Sequence, residues 1–444
     1  MTTQALAGDG TGFSPIRVCE VELSHALPAI RAAAATGTQR YGAAMVLARW
    51  YTEPLALVDI PLPGEGATST ALASALWPAV RQAVAERMSA ADRKAPPMLP
   101  AEGLKLEAPS LYLAGRKAQL ATAPPVSVIV CTRDRAPRLP ACLDALERQD
   151  YPDYEIILVD NAPTTDAVAT LLARRRSPVP LRRVVEPRPG LSWARNTGLA
   201  AAAGQIVAYL DDDERPDTYW LAEITRGFTV APGTAGVGGI ILPAALETPA
   251  QCWFEQFGGH SKGRGFTAAI FDEASHAHQH PLYPLPPFGT GANMAFEREA
   301  LTGIGGFDVA LGAGTVVPGG EDTAAICDLM LSGATFVYWP GALTWHDHRR
   351  EVSELARQLF GYGAGLTAFY TRALMRDPRA IGRLLRLAPQ ALHDLRGHDS
   401  VRTAAMGEDY PSELSRAHRR GMLGGAGAYL RSRRQQARQM RRTP

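Results

Sequence analysis

Three consecutive aspartates, Asp211, Asp212 and Asp213, have the residue types and spacing that most directly suggest chemistry. They follow the apolar run 206–210, which is typical of a buried parallel strand. Neighbouring carboxylates repel one another unless a cation or solvent separates them. In an extended chain Asp211 and Asp213 point to the same side, and paired carboxylates suit Mg²⁺ or Mn²⁺. The pattern therefore predicts a divalent metal site, with a solvated acidic turn before a helix as the alternative.

A second acidic pair, Glu321 and Asp322, follows two glycines at the start of a predicted helix. The glycines allow the backbone to approach a ligand closely, which favours a functional role for the acids. Asp322 is therefore a candidate general base, and Glu321 is a candidate substrate-binding neighbour. Acidic residues in the first turn also stabilise the helix macrodipole, so simple capping is the alternative.

Histidines and aromatic residues form three further candidate clusters. His346 and His348 follow a predicted strand and are equal candidates by spacing, with a structural role at the strand end as the alternative. The alternating histidines His276, His278 and His280 lack acidic or cysteine neighbours, which favours a solvent-facing loop over a metal site. For the aromatic stretch a hydrophobic core is favoured over a sugar-stacking surface. Its members are Trp253, Phe254, Phe257 and Phe266.

The elements that would position these residues alternate between short apolar runs and helical segments from residue 126 onwards. This alternation predicts βαβ crossovers and a parallel sheet. Thr132, Asp160 and Asp211 fall where the first, second and fourth strands end. Ligands collect beyond the carboxyl ends of strands in such sheets. We therefore expect a row of ligand-binding groups along one rim.

Other polar residues near this rim have candidate roles in binding a nucleotide. Thr132 and Arg135 lie where a turn and a helix N-terminus would meet phosphate, although helix capping is the alternative for Thr132. Arg195 and Asn196 precede the aspartate strand and would steady phosphate oxygens or the aspartates. The alternative for Arg195 is a surface ion pair. Asp160 would accept hydrogen bonds from a base, and a turn is its alternative.

Composition places the chain among ordinary globular proteins and excludes several classes. It has 444 residues, of which 46% are hydrophobic and 20% charged, enough for two or three domains. A net charge of +2 gives no global field that favours nucleic acid. Five scattered cysteines argue against a disulfide scaffold or a zinc ribbon. Without a visible signal peptide or an apolar run of roughly 18 residues, we expect a soluble, cytoplasmic protein.

Four segments differ in composition. Residues 1–15 are predicted to be disordered. Residues 16–120 are predicted to form a small α+β domain that ends in a Pro-rich connector. Pro78 is predicted to kink or break the helix of this domain. Residues 126–348 contain the alternating strands and helices. Residues 349–444 are predicted to be a helical, Arg-rich extension. Its arginines would suit an anionic membrane surface at the inner face of the membrane, and a frayed, solvated helix is the alternative.

Residues 126–348 resemble glycosyltransferase family 2, whose members use nucleotide sugars and have the GT-A fold. VSVIVCTRDRAPRLPACLDAL looks like the first strand, turn and helix of that family, and YPDYEIILVDNAPTTD resembles its second strand. RPGLSWARNTGLAAAAGQIVAYLDDDE is similar to its metal-binding segment. The segment from Gly305 to His348 resembles the one that carries the catalytic base. The resemblance covers neither residues 1–120 nor the basic tail.

The resemblance implies an α/β fold: a GT-A-like, mostly parallel central sheet with flanking helices. It implies a metal-dependent enzyme that transfers a sugar, with inversion, from a nucleotide diphosphate donor to an acceptor hydroxyl. Asp160 then binds the nucleobase, Asp211 and Asp213 hold Mn²⁺ or Mg²⁺, and Asp322 is the base. His346 falls where many members place a further metal or diphosphate ligand. Asp212 and Glu321 are substrate-binding candidates beside these positions.

Two other function classes stay open from the sequence. A nucleotidyltransferase would use similar acidic metal ligands, but would need a Gly-rich loop after the first strand, where residues 132–135 contain no glycine. A non-catalytic nucleotide-sugar-binding protein would keep the metal site without turnover. The acceptor is a glycan, a lipid-linked molecule or a small molecule. A processive polysaccharide synthase is disfavoured because no membrane spans are visible.

Overall fold

The structure is a computed structural model that describes residues 13–34, 39–106, 110–272, 275, 281–282, 288–396, 406–407 and 409–441. Most of the segment predicted to be disordered, residues 1–12, lies outside this range. So do the alternating histidines His276, His278 and His280.

The N-terminal region is a small sheet covered by one long helix. Its strands are β1 (Ile16–Glu22), β2 (Ile30–Arg31), β3 (Ala43–Trp50), β4 (Glu53–Pro61) and β5 (Gly66–Ala67), and its helix is α1 (Ser69–Ser89). The sheet order is β1-β3-β4, with β1 parallel and β4 antiparallel to β3. Leu72, Leu76 and Val80 of α1 are fully buried against this sheet. The region therefore has a hydrophobic core of its own.

Two local features of this region differ from the sequence predictions. The sequence predicts the turn between β3 and β4 at Glu53–Pro54, but the turn lies two residues earlier, at Tyr51 and Thr52, and both of these have positive φ. The carboxylate of Glu22 accepts hydrogen bonds from both backbone N–H groups, at 2.8 and 2.9 Å, which stabilises this conformation. Pro78 does not end α1, which continues through it.

The predicted connector contains the helix α2 (Leu111–Leu120), which packs towards the central domain. Arg116 of α2 lies 3.4 Å from the carboxylate of Glu223, and its guanidinium lies 3.7 Å from the centroid of the Tyr219 ring. Arg49 of β3 contacts Asp217 at 2.8 Å. Buried ion pairs thus join the N-terminal region to the central domain.

A mixed nine-stranded sheet forms the centre of the molecule. Its strands are β6 (Val126–Thr132), β7 (Tyr154–Asn161), β8 (Leu181–Glu186), β9 (Ile206–Asp211), β10 (Glu214–Pro216), β11 (Thr234–Pro243), β12 (Ala269–Phe271), β13 (Asn293–Glu297) and β14 (Thr335–His346). The order is β10-β14-β11-β13-β9-β6-β7-β8, and β12 pairs with β14. The run β9-β6-β7-β8 is entirely parallel, as predicted, whereas β13 is antiparallel to both of its neighbours.

Helices cover both faces of this sheet. They are α3 (Leu139–Leu146), α4 (Ala167–Arg174), α5 (Leu191–Ala201), α6 (Trp220–Gly227), α7 (Pro249–Gln256), α8 (Arg298–Gly303) and α9 (Glu321–Leu331). Two large apolar clusters lie on opposite faces of the sheet, one including Ile129 and Tyr209 and the other Val128 and Leu158. Side chains of adjacent strand residues point to opposite faces, which explains this division. The predicted α/β class is confirmed.

Strand β14 is longer than predicted, and the difference matters for the site. The sequence pattern ended the strand at Trp339, but β14 continues to His346. The pairing with β11 is irregular between Gly238 and Ile240, where the four residues Trp339–Ala342 of β14 lie opposite the single residue Gly239. A bulge accommodates residues that would otherwise interrupt pairing. Because the strand continues beyond it, His346 reaches the rim that carries the aspartates.

The C-terminal region consists of helices α10 (Val352–Arg376), α11 (Ala380–Arg396) and α12 (Ser412–Met440). Helices α10 and α12 pack closely because glycines face the opposing backbone. A Cβ atom at Gly363 would lie 2.1 Å from the carbonyl oxygen of His418, and one at Gly421 would lie 2.1 Å from that of Phe360. The end of α12 is held by a 2.8 Å hydrogen bond from Trp193 to Gln436. The basic tail is thus a packed helix with exposed arginines, rather than a frayed one.

Candidate active site

A cavity of about 460 Å³ opens at the carboxyl ends of β6 and β9, between the sheet and α10. The parallel register aligns Cys131 with Asp211, and Thr132 with Asp160, so the predicted row of strand ends exists. Nine of the eleven candidate residues line the cavity: Thr132, Arg135, Arg195, Asp211, Asp212, Asp213, Glu321, Asp322 and His346. Residues far apart in the sequence therefore meet at one site.

Asp212 is held by the two residues that the sequence assigned to the nucleotide. Its Oδ2 accepts a hydrogen bond from Thr132 Oγ1 at 2.7 Å, and its Oδ1 accepts one from Arg135 Nη1 at 2.6 Å. Asp212 is buried, and burial raises the pKa of its carboxyl group to about 6 although Arg135 opposes the shift. Thr132 and Arg135 thus fix the acidic turn at the cavity wall.

The two carboxylate oxygens of Asp213 contact different groups. Its Oδ2 contacts Arg135 at 2.6 Å, Arg349 at 3.3 Å and Arg138 at 3.5 Å. Its Oδ1 faces His346 Nε2 at 3.7 Å, a distance beyond a normal hydrogen bond. One oxygen is thus compensated by fixed cations, and the other faces a ring nitrogen.

The charge state of this corner follows from burial and from the arginines. Burial alone would raise the pKa of Asp213, but the neighbouring charges of Arg135 and Arg349 outweigh it and hold the pKa below its usual value. Burial lowers the pKa of His346 to about 3, so the imidazole is uncharged at neutral pH and the arginines supply the positive charge. Asp213 is therefore an ionised carboxylate beside a neutral imidazole.

Arg195 of α5 links the aspartate strand to the start of α9. Its guanidinium contacts Glu321 Oε1 at 2.9 Å, Asp211 Oδ1 at 3.3 Å and the carbonyl oxygen of Gly291 at 2.9 Å. Burial alone would lower the pKa of Arg195, but Glu321 and Asp211 outweigh burial and raise it. Arg195 is 2% exposed, so the alternative of a surface ion pair is wrong. It is a fixed internal cation that compensates two carboxylates.

Asp322 lies at the start of α9 with both oxygens oriented by the backbone. Oδ2 accepts a hydrogen bond from Gly291 N–H, and Oδ1 accepts one from Thr323 N–H, each at 2.7 Å. Gly291 has no side chain because a Cβ atom there would lie 2.8 Å from Arg195 Nη2 and 2.9 Å from Asp322 Cβ. Oδ1 also accepts a hydrogen bond from Thr323 Oγ1 at 3.3 Å, whereas Oδ2 retains a further lone pair. A proton acceptor is thus held at the cavity wall.

Glu321, the neighbour of Asp322, has a raised proton affinity. Burial, reinforced by the charge of Asp322, raises its pKa to about 7. One oxygen contacts Arg195, while Oε2 is buried without a hydrogen-bond partner among the described residues. This carboxyl group therefore titrates near neutrality while it holds Arg195 in place.

Two candidate residues lie away from the cavity wall. Asp160 is fully buried and forms an ion pair with Arg183 at 2.7 Å, while its neighbour Asn161 lines the cavity. The side chain of Asn196 instead bonds both backbone groups of Phe307, at 2.8 Å each, and so fixes the loop after α8. Adjacent residues of a strand or a helix project their side chains in different directions, which turns these two away from the ligand side.

Several cavity residues were missed by the sequence argument. Arg349 lines the cavity, and Glu255 lies behind it in contact with His348. His348, which spacing made an equal candidate to His346, touches it at 2.6 Å between the two Nδ1 atoms. Among the aromatic candidates, Phe254 is buried in an apolar cluster, as favoured, whereas Phe257 reaches the cavity. The spacing of His346 and His348 was the sequence signal for these two histidines.

The donor atoms fit a hard divalent cation. Within the described residues, no group of three or more histidine, cysteine or acidic side chains is positioned ready to hold a metal ion. However, Mg²⁺ and related ions are usually bound by one or two carboxylates together with substrate phosphates. Asp213 Oδ1 and His346 Nε2 face each other at 3.7 Å, within the span of two ligands on one ion, about 4.2 Å for bonds of about 2.1 Å. The carboxylate oxygen suits Mn²⁺ or Mg²⁺, and the imidazole nitrogen suits transition-metal ions, which favours Mn²⁺ of the two.

Comparison with known proteins identifies the class of this domain. Residues 127–304 match the family model described as Glycosyl transferase family 2. This part of the chain is therefore a family 2 glycosyltransferase domain, which confirms the resemblance seen in the motifs. Glu321, Asp322 and His346 lie beyond the matched residues.

Individual relatives are similar over parts of the chain. Glycosyltransferase AglE of Haloferax volcanii is 33% identical over 26% of this chain and 37% of its own length. Glucosyl-dolichyl phosphate glucuronosyltransferase of the same organism is 25% identical over 42% of this chain and 57% of its own length. Succinoglycan biosynthesis protein ExoM of Rhizobium meliloti is 26% identical over 54% of this chain and 72% of its own length. The chain thus spans between about a third and three quarters of the length of these relatives.

Solved structures show more distant similarity. The mannosyltransferase PcManGT from Pyrobaculum calidifontis, in complex with GDP-Man and Mn²⁺, is 19% identical, with a TM-score of 0.44 over 72% of this chain and 95% of that one. Glucosyl-3-phosphoglycerate synthase from Mycobacterium tuberculosis, in complex with Mn²⁺ and UDP, is 19% identical. The match has a TM-score of 0.38 and covers 61% of this chain and 86% of that one. No described helix of the present chain has the length and apolar character to cross a membrane.

Proposed function

We propose that this protein transfers a sugar, with inversion, from a nucleotide diphosphate sugar to an acceptor hydroxyl and that it requires a divalent metal. The observation that carries the proposal is one cavity that contains both the aspartate turn and Asp322. The family 2 domain supports the nucleotide-sugar donor. The same cavity therefore holds groups suited to the leaving diphosphate and a group suited to the acceptor.

The residues divide the reaction between two sides of the cavity. Asp322 accepts the proton of the acceptor hydroxyl, whose oxygen forms the new bond to the anomeric carbon while the bond to the diphosphate breaks. Its two backbone hydrogen bonds hold its carboxylate in one orientation. A divalent cation, when bound, neutralises the charge that develops on the departing diphosphate. Asp213 and His346 would hold that cation, and Arg349 at the same wall suits phosphate oxygens.

The nucleobase contact predicted for Asp160 needs a change in this proposal. Asp160 forms an ion pair with Arg183, and Asn161 is the residue at the cavity wall. The side chain of Asn161 already bonds the backbone of Gly190 and Arg188, at 2.9 and 2.7 Å. Asp160 therefore supports the strand end, and the base would meet this part of the rim through the backbone that Asn161 fixes.

The experiment is a donor screen with Mn²⁺ and Mg²⁺ that measures released nucleoside diphosphate in the wild type and in Asp322→Asn. Loss of a general base lowers turnover by about 10²–10⁴-fold, and we expect that loss without a change in thermal stability. Asp166→Asn, an exposed aspartate that makes no capping hydrogen bond, is the matched control and should behave like the wild type. Undiminished turnover in Asp322→Asn would remove Asp322 from the mechanism. Release of pyrophosphate from a nucleoside triphosphate would instead favour a nucleotidyltransferase.

We also propose a peripheral contact between the C-terminal helices and an anionic lipid surface. On α11 the exposed apolar side chains of Ile381 and Leu385 alternate with exposed arginines, Arg383 and Arg386. Interfacial helices combine apolar and basic side chains in this way. Wild-type protein should co-sediment with vesicles that contain anionic lipid, and the double variant Ile381→Ser, Leu385→Ser should not. Equal sedimentation of both proteins would contradict the contact.

A further inference from the structure

The side of the cavity next to Asp213 contains a buried line of four side chains. Glu255 Oε1 lies 2.8 Å from His348 Nε2, and His348 Nδ1 lies 2.6 Å from His346 Nδ1. His346 Nε2 in turn lies 3.7 Å from Asp213 Oδ1. The four side chains are between 1% and 9% exposed. His346 and His348 form the histidine pair at the centre of this line.

The hydrogen positions on the histidine pair follow from what each atom can donate or accept. A carboxylate only accepts, so His348 must carry a hydrogen on Nε2 to bond Glu255. The Nδ1 atom of a neutral His348 is then an acceptor, and His346 must supply the hydrogen of the contact between the two Nδ1 atoms. A neutral imidazole carries only one such hydrogen. Nε2 of His346 is therefore left with a bare lone pair.

The distance to Asp213 favours this arrangement over the opposite one. A charged His348 would donate from Nδ1, and His346 would then carry its hydrogen on Nε2 and donate it to Asp213. Such a bond would measure about 2.7–3.2 Å. The observed separation of 3.7 Å is that of two acceptors with no hydrogen between them. Arg135, Arg138 and Arg349 contact the other oxygen, Oδ2, at distances of 2.6 to 3.5 Å.

We propose that Glu255 and His348 are positioning residues that fix the tautomer of His346, so that its Nε2 and Asp213 Oδ1 together present two lone pairs to one divalent cation. The inference deepens the proposed function and rests on it. Metal-binding histidines generally donate their second ring hydrogen to an orienting partner, and losing that partner weakens metal binding. Here the orienting partner is a second histidine, and Glu255 fixes the tautomer of that histidine in turn.

The fold holds Glu255 in place independently of the motif segments. Helix α7 begins with a capping box formed by Thr248 and Gln251, which satisfies its first backbone N–H groups. The loop after α7 passes over Glu255 at Gly259, where φ is +53° and a Cβ atom would lie 2.3 Å from Glu255 Oε1. The ring of Phe254 packs edge-on against His348, with centroids 4.7 Å apart. Glu255 and His348 therefore have little freedom to separate.

The first test measures Mn²⁺ affinity of the intact protein by the electron paramagnetic resonance signal of free Mn²⁺. We expect Glu255→Leu to weaken binding by about 10–100-fold. Glu255→Gln keeps an acceptor oxygen for His348 and should retain most of the affinity. Glu247→Leu is the matched control, because Glu247 precedes α7 and pairs with the exposed Arg350, and it should bind like the wild type. Equal affinity of Glu255→Leu and wild type would overturn the positioning role.

The second test observes the tautomer directly and needs no turnover. In metal-free protein labelled with ¹⁵N-histidine, the His346 signals, assigned with His346→Gln, should show hydrogen on Nδ1 and none on Nε2. Glu255→Leu should lose that preference while its thermal unfolding shows a folded protein. Hydrogen on Nε2 of His346 in the wild type would overturn the inference. Absence of Mn²⁺ binding by the wild type would contradict the metal in the proposed function as well, whereas the two outcomes above contradict the positioning role alone.

Discussion

The negative charge of the carboxylates is balanced in different ways on the two walls of the cavity. On the Asp322 side, Arg195 is a built-in cation that bridges Glu321 and Asp211. On the histidine side, Asp213 Oδ1 faces a neutral imidazole across 3.7 Å. A fixed arginine makes a wall stable without any ligand, whereas two facing acceptors leave a place for an exchangeable cation. In the proposed function the first wall is therefore permanent structure and the second is the site that binds the cation.

The largest effect should come from removing the built-in cation. Arg195→Met leaves Glu321 buried without its partner, and breaking a buried ion pair costs about 3–5 kcal/mol. Chemical denaturation of the wild type and the variant measures this loss in the free energy of unfolding. The double variant Arg195→Met, Glu321→Gln removes the orphaned charge and should recover part of it. A loss below about 1 kcal/mol, the range of a surface ion pair, would show that this wall is not permanent structure.

A second prediction separates two adjacent aspartates. Asp213→Asn should weaken Mn²⁺ binding by at least about 100-fold, more than the loss of an orienting partner. Asp212→Asn should affect Mn²⁺ binding much less, because Asp212 is occupied by Thr132 and Arg135. Mn²⁺ titration of both variants and the wild type decides the point. Equal losses of Mn²⁺ affinity in the two variants would mean that Asp212 and Asp213 bind the ion together, which would contradict the proposed difference between the walls.

The smallest effect concerns pH and the Asp322 side. The pKa of Glu321 is raised from 4.5 to about 7, mainly by burial. A raised carboxyl pKa contributes stability that is fully present below 4.5 and is lost as pH rises through 7. The wild type should therefore lose stability relative to Glu321→Gln between pH 5 and 8.

Denaturation of both proteins at several pH values in that window measures the difference. Glu297→Gln, an exposed glutamate at the end of β13, is the control and should run parallel to the wild type. A stability difference between wild type and Glu321→Gln that does not change with pH would contradict the raised pKa.

Sequence patterns predicted one wall better than the other, for physical reasons. The strand ends at Thr132 and Asp211 follow from apolar runs that stop at polar residues, and parallel pairing then aligns them. The Asp322 position follows from a glycine pair before a helix. These signals are local, so the sequence contains them in full.

The histidine wall depends on contacts between distant segments. Glu255 lies on α7 and meets His348, 93 residues later, through tertiary packing that no periodicity marks. The expected pairing of Asp211 with Asp213 assumed an extended chain, but β9 ends at Asp211 and a turn separates them. Their carboxylates therefore acquire different partners: Arg195 for one and Arg135 with Arg349 for the other. Arg349, outside every motif, could not be predicted.

The central claim is that an exchangeable divalent cation completes the histidine side of the cavity and is needed for donor cleavage. The most direct measurement is the release of nucleoside diphosphate from the preferred donor by wild-type protein, with Mn²⁺, with excess chelator, and with Mn²⁺ restored in excess of the chelator. We predict turnover with Mn²⁺, its loss in chelator and its recovery when Mn²⁺ is restored. Turnover that continues unchanged in excess chelator would contradict the account.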